Sequence, residues 1–185
     1  NPSTPYAVSR AAGDMLLKIY ADQYNLPINL TRAANVYGPG QQLYRIIPRT
    51  VLAAMGAKRL RLDGAGKSKR SFIHIRDVCE ATFRIATEGE IGETYHISTD
   101  EMLSIRDCVE TILKATKSNF SDVVEIGSER AGKDDSYQLS SFKLRKNIGW
   151  KNSINFQKGI EEVIDWVRDN LEYFIKLELR YVHKS

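Results

Sequence analysis

Residues 4–40 read TPYAVSRAAGDMLLKIYADQYNLPINLTRAANVYGPG, and the fold turns on how this stretch is read. Thr4 before Pro5 marks a helix start, because a hydroxyl caps the first free amides and proline tolerates the first helical position. Val8, Ala12, Met15 and Ile19 then recur at helical spacing, and the helix is expected to stop near Asn25, before Leu26 and Pro27. Residues 28–33 are apolar and β-branched enough to read as a buried strand, and Gly38-Pro39-Gly40 turns the chain after it.

The same alternation continues downstream. Residues 45–55 predict a second helix, and 70–75 alternate polar and apolar side chains like a half-buried strand. Asp77 is a candidate cap for a helix running through Thr87. Residues 93–98 read as a strand, and Ser104 with Asp107 forms a capping-box pattern opening a helix through Ala115. Short strands are expected at 123–126 and 137–139, and a short helix at 142–147 closed by Ile148-Gly149. Phe156, Ile160, Val163, Val167 and Leu171 define a long amphipathic helix. Strands alternating with helices imply an α/β fold with parallel pairing in its first part. No GxGxxG or GxxGxxG follows a strand and opens a helix, and Gly64-Ala65-Gly66 lacks the third glycine, so it reads as a loop. Either an N-terminal domain is missing or the chain is a natural fragment.

A length of 185 residues with 42% hydrophobic content suits one globular core, with room for a smaller lobe. Charges break every apolar stretch well before bilayer length, so no membrane span or signal peptide is expected and the chain reads as a soluble cytoplasmic protein. Cys79 and Cys108 have no CxxC partner and read as reduced core residues. His74, His96 and His183 lack metal-ligand spacing and read as structural, so no metal is assigned. The net charge is +4, and Arg49, Lys58, Arg59, Arg61, Lys67, Lys69 and Arg70 cluster with only Asp63 among them. Such a field favours a polyanion. A small diphosphate fits at least as well as nucleic acid, because no aromatic RNA-binding strand or zinc-finger spacing accompanies the charge.

Tyr6 and Arg10 are four residues apart on the first helix and so share a face. A nearby fixed cation favours the phenolate, which can take a proton from a substrate hydroxyl. Around them, residues 1–12 (NPSTPYAVSRAA) resemble the YxxxK segment of the extended short-chain dehydrogenase/reductase family. Residues 31–40 (TRAANVYGPG) are similar to its RxxNxYGP segment, and residues 69–78 (KRSFIHIRDV) to its RDFxxVxDV strand and helix start. Residues 129–134 (ERAGKD) and 148–151 (IGWK) resemble its RPGHD and LGWxP segments. The resemblance runs to Asn170 and is nearest the NAD-dependent epimerase/dehydratases, in particular the dTDP-glucose 4,6-dehydratase branch.

The resemblance implies a C-terminal part of a Rossmann-type enzyme plus its smaller substrate-binding lobe. Residues 1–40 would end the nucleotide-binding domain, 41–174 would form mostly the substrate lobe with elements returning to the Rossmann sheet, and 175–185 a tail. It implies that Tyr6 takes the proton from the sugar C4 hydroxyl, with Arg10 in the place of a lysine that holds the nicotinamide ribose of NAD. It further implies that Asn35, Arg45, Arg70 and Arg130 hold the diphosphate of a nucleotide sugar. The implied reaction is 4,6-dehydration: C4 oxidation, loss of water across C5 and C6, and C6 reduction. This chain alone is expected to be inactive. Arg10 departs from the usual lysine, Asp63 stands where many dehydratases have an aromatic against the base, and Ala131 and Lys133 replace proline and histidine. A 4-epimerase or decarboxylase of the same family would use the same residues, and a non-catalytic nucleotide-sugar-binding module is the alternative of another class. A homodimer is implied, with neither nucleic acid nor membrane as partner.

Overall fold

The structure, a computed structural model, describes residue 2 and residues 4–128 and 136–177. The first helix, α1 (Pro5–Tyr24), starts and stops where its caps dictate. Thr4 Oγ1 accepts the Ala7 amide at 3.1 Å, and Asn25 closes the helix with a left-handed φ of 52°. Its surroundings are unlike those of a core helix. None of its residues is buried, and Val8, Met15 and Ile19 are 53%, 66% and 61% exposed. An Arg32–Asp14 ion pair ties it to the strand that follows.

The chain then runs through β1 (Leu30–Ala33), β2 (Asn35–Tyr37), α2 (Ile46–Ala54), β3 (Leu60–Asp63), a single 3-10 turn (Gly64–Gly66), β4 (Lys69–Arg70) and β5 (Phe72–His74). It continues with α3 (Ile75–Glu88), β6 (Thr94–Ile97), β7 (Leu103–Ser104), α4 (Ile105–Ala115), α5 (Phe120–Val123) and β8 (Val124–Gly127). Last come β9 (Ser136–Tyr137), α6 (Phe142–Ile148), α7 (Phe156–Asp169) and α8 (Leu171–Phe174). Among the described residues four pairs are parallel, and three of them, β1 with β6, β2 with β5 and β3 with β8, stand as two-stranded sheets joined through helical crossovers. A small sheet places β4 between antiparallel β7 and parallel β9.

Several expectations need correcting. Strand β1 pairs with β6 and leaves Thr31 and Arg32 exposed, so it is not a buried strand. The expected strand at 70–75 is two short strands; β5 is wholly buried and Ile75 already belongs to α3. His74, not Asp77, caps α3, its Nδ1 accepting the Arg76 amide at 3.3 Å. Asp77 sits buried in the first turn instead. Cys108 is a core residue, but Cys79 is exposed on α3. The Ser104–Asp107 capping box forms as read, with both reciprocal bonds at 3.0 Å.

Three apolar clusters hold these elements. One packs Tyr37, Val51, Phe72, Ile112, Phe156 and Ile160, joining α2, α4 and α7 beneath β2 and β5. A second gathers Ile73, Ile85, Ile97, Leu144 and Trp150, and a third seats β3 and β8 against α4 through Leu60, Leu62, Val109 and Val124.

Buried in this frame, His74 sets a pH dependence. Its Nε2 lies 3.4 Å from Glu162 Oε2 but off the angle of a hydrogen bond, and it has no hydrogen-bond partner among the described residues. Burial lowers its pKa below the ordinary 6.5, and the attraction of Glu162 only partly opposes that. The unfolded chain therefore takes up a proton that the folded chain resists. Stability is full above pH 6.5 and is lost as the pH falls through the lowered folded value. Urea midpoints should drop between about pH 7.5 and about pH 5.5, and a His74→Gln variant should lose part of that slope. His96, also lowered by burial, acts in the same direction.

Candidate functional site

Strand β2 runs into the Gly38-Pro39-Gly40 turn, and the turn lies tight against the β5–α3 junction. Gly38 has φ 148°, and a Cβ there would fall 2.5 Å from Ile75 Cγ2. This close approach opens one side of a cavity of about 950 Å³. Asn35 and Tyr37 of β2, Gln41 after the turn, Tyr44 and Arg45 before α2, Arg61 and Asp63 of β3, and Arg70 of β4 line it.

The lining mixes apolar side chains such as Ile46, Leu62 and Phe72 with a cationic group. Three guanidinium groups, those of Arg45, Arg61 and Arg70, meet one carboxylate, that of Asp63. Arg45 lies over the Tyr44 ring, 5.5 Å from its centroid, and Arg70 Nη1 donates to the Lys69 carbonyl at 2.7 Å. Arg61 Nε donates to Asp63 Oδ1 at 3.0 Å. Gln41 donates to the Val36 carbonyl at 2.7 Å, while its buried Oε1 has no partner among the described residues. Tyr37 is 2% exposed and donates to the Phe156 carbonyl at 3.4 Å. Burial first, then the nearby Asp77 carboxylate, pushes its pKa far above the ordinary range, so it remains a neutral donor and is unsuited to act as a base.

Of the residues singled out from the sequence, the fold brings Asn35, Arg45 and Arg70 together. Tyr6 and Arg10 do not line the cavity; both are exposed on α1, Tyr6 at 75%. Arg130 lies outside the described residues. Gln41 and Tyr44, which no motif marks, line the cavity too, and Arg61 joins them from the basic run. Arg61 had a readable signal, because strand alternation puts it on the same side as Asp63. The basic run itself does not form one field: Arg59 turns away to donate to the Ser121 and Val124 carbonyls at 2.6 and 2.8 Å. Among the described residues no group of three or more His, Cys, Asp or Glu could hold a metal, and no helix is long and apolar enough to cross a membrane.

The sequence model of the family described as GDP-mannose 4,6 dehydratase matches residues 1–163. The chain belongs to that family. It is a branch of the extended short-chain dehydrogenases, and its α/β fold is that of their Rossmann-type dehydratases and epimerases. A trifunctional UDP-glucose 4,6-dehydratase of Arabidopsis thaliana is 33% identical over 94% of this chain and 26% of its own length. The mouse dTDP-D-glucose 4,6-dehydratase is 31% identical over 91% of this chain and 49% of its own. The crystal structure of a Streptomyces venezuelae dTDP-glucose 4,6-dehydratase with NAD and TYD bound superposes with a TM-score of 0.88 at 29% identity, covering 95% of this chain and 55% of that one. The chain thus spans about half the length of the mouse relative and about a quarter of the plant one.

Proposed function

We propose that the cavity holds the diphosphate and sugar of a nucleoside-diphosphate hexose, and that the protein serves NAD-dependent 4,6-dehydration of that hexose to its 4-keto-6-deoxy form. The observation that carries this reading is the convergence of Asn35, Arg45 and Arg70 on one cavity whose cations outnumber its carboxylate. Guanidinium forks match phosphate oxygens in shape and stay charged at every working pH. Arg45 and Arg70 grip the diphosphate, Asn35 donates to it, and Arg130 adds a further cation. Tyr6 accepts the proton of the C4 hydroxyl, and Arg10 stands one turn on along α1.

NAD, when bound, supplies the hydride acceptor. Tyr6 and Arg10 fit its ribose by offering a hydroxyl and a guanidinium on an accessible face of α1. Met15, Leu16, Ile19 and Tyr20 are exposed on the same helix, an apolar area that a nucleotide-binding layer would cover while carrying Tyr6 to the sugar. On this reading the 185 residues alone bind the sugar nucleotide without turning it over.

Calorimetric titration with dTDP-glucose, UDP-glucose and GDP-mannose tests the binding. Saturable, salt-weakened binding of at least one is expected, and Arg70→Ala should reduce affinity roughly tenfold. Failure of all three to bind ends the reading. With the cofactor-binding layer supplied, NMR of the product decides the chemistry, since a 4-epimerase would return a hexose inverted at C4 and a binding module would return substrate.

A further inference from the structure

The His74 ring is buried directly behind the turn that walls the cavity. A Cβ on Gly38 would stand 3.2 Å from its Nε2, and the Tyr37 ring meets it edge-on, with 5.3 Å between centroids and 86° between planes. Gln41, which lines the cavity, closes the turn by donating its amide to the Gly38 carbonyl at 3.3 Å. The helix cap settles which hydrogen the ring carries. Nδ1 accepts the Arg76 amide, so it is unprotonated, and the neutral ring bears its hydrogen on Nε2.

A second proton changes the geometry. It would sit on Nδ1 and face the Arg76 N–H, donor against donor, and α3 would lose its cap. The imidazolium would need acceptors instead. Glu162 Oε2 is 3.4 Å from Nε2 but off the angle of a hydrogen bond, so a bond to it requires the ring to turn. Among the described residues, the charged groups acting on the ring are Glu162 from α7 and Arg76 and Asp77 from α3. Tyr37 faces it from β2 as a neutral phenol. Glu162 is shared with Arg76, and Asp77 is committed to Ser153 and Ile154. A turning ring has the Gly38 turn against it, so the movement passes to Pro39, Gly40 and Gln41 of the cavity wall. On the reading of the cavity as a nucleotide-sugar site, we infer that His74 is a proton-controlled positioning residue: neutral, it holds the turn in its binding shape, and protonated, it releases the turn.

Calorimetric titration with UDP-glucose, dTDP-glucose and GDP-mannose from about pH 7.5 to about pH 5, beside NMR of the His74 ring, tests the inference. The phosphates of these diesters keep their charge over that range. Kd is expected to be constant while the ring is neutral and to rise on the ring's own midpoint, towards about tenfold per pH unit below it, because only the neutral fraction binds. His74→Asn keeps a capping acceptor and cannot titrate, so the rise should vanish whatever its starting affinity. Glu162→Gln removes the carboxylate that favours the charged ring and should move midpoint and rise together to lower pH. Global unfolding would lower the binding stoichiometry instead and leave Kd unmoved. A ring that stays neutral to about pH 5, a native Kd that ignores the ring's titration, or a rise retained in His74→Asn overturns the switch. The Arg76 and Gln41 amide resonances give a reading without ligand, and both should move on the ring's midpoint. If no sugar nucleotide binds at about pH 7.5, the reading of the cavity falls, and a Gln41 amide that ignores the ring's titration overturns the switch as well.

Discussion

Replacing Asp77 by alanine is expected to lower the free energy of unfolding by about 3 kcal/mol, read from urea denaturation followed by circular dichroism. The carboxylate is 1% exposed and accepts three bonds from a distant segment: the Ser153 amide at 2.9 Å, the Ser153 hydroxyl at 2.8 Å and the Ile154 amide at 3.1 Å. It lies in the first turn of α3, where the helix dipole also favours a negative charge. Alanine would leave two backbone amides without an acceptor, one of them on buried Ile154. The damage would spread along the chain. Ser153 and Ile154 lead directly into α7, whose Phe156 ring packs against Tyr37 and Phe72, so the loop anchors the wall that supports the cavity. Asp77→Asn keeps an acceptor and should cost about half as much. An alanine variant within about 1 kcal/mol of native would mean that water reaches those amides.

Features set by neighbouring residues were legible in the sequence. The ends of α1, α4 and α6 depend on Thr4, on Ser104 with Asp107, and on left-handed Gly149, all chemistry within a few residues. Features set by distant partners were not. Strand β2 is only three residues long and exists because β5 pairs with it. Ser71 made residues 70–75 look half-exposed, yet it is buried, its hydroxyl reaching the Thr99 and Glu101 carbonyls at 2.9 and 2.7 Å. Polarity signals exposure only where no partner is waiting inside. The site divides in the same way. Asn35, Arg45 and Arg70 follow from the family resemblance, whereas Gln41 and Tyr44 come to line the cavity only once the turn after β2 faces β3.

Gly38→Ala should weaken folding and ligand binding together, by about 2 kcal/mol in stability and about tenfold in affinity. Two effects act at once. A φ of 148° is one that side-chain-bearing residues rarely adopt, and the new methyl would overlap Ile75 Cγ2 and crowd His74 Nε2, 3.2 Å away. Neither neighbour can recoil easily. His74 is buried and caps α3, and Asp77 pins the first turn of that helix to Ser153. The turn must therefore move, and it carries Pro39, Gly40 and Gln41, which wall the cavity. Gly40→Ala separates the two effects, because Gly40 also has a positive φ, 86°, but nothing lies within 4 Å of its added Cβ. That variant should lose only about 1 kcal/mol and bind nearly as native. If the two substitutions prove equal in unfolding and in titration, the contact with α3 has no part in shaping the cavity, and backbone strain alone accounts for both.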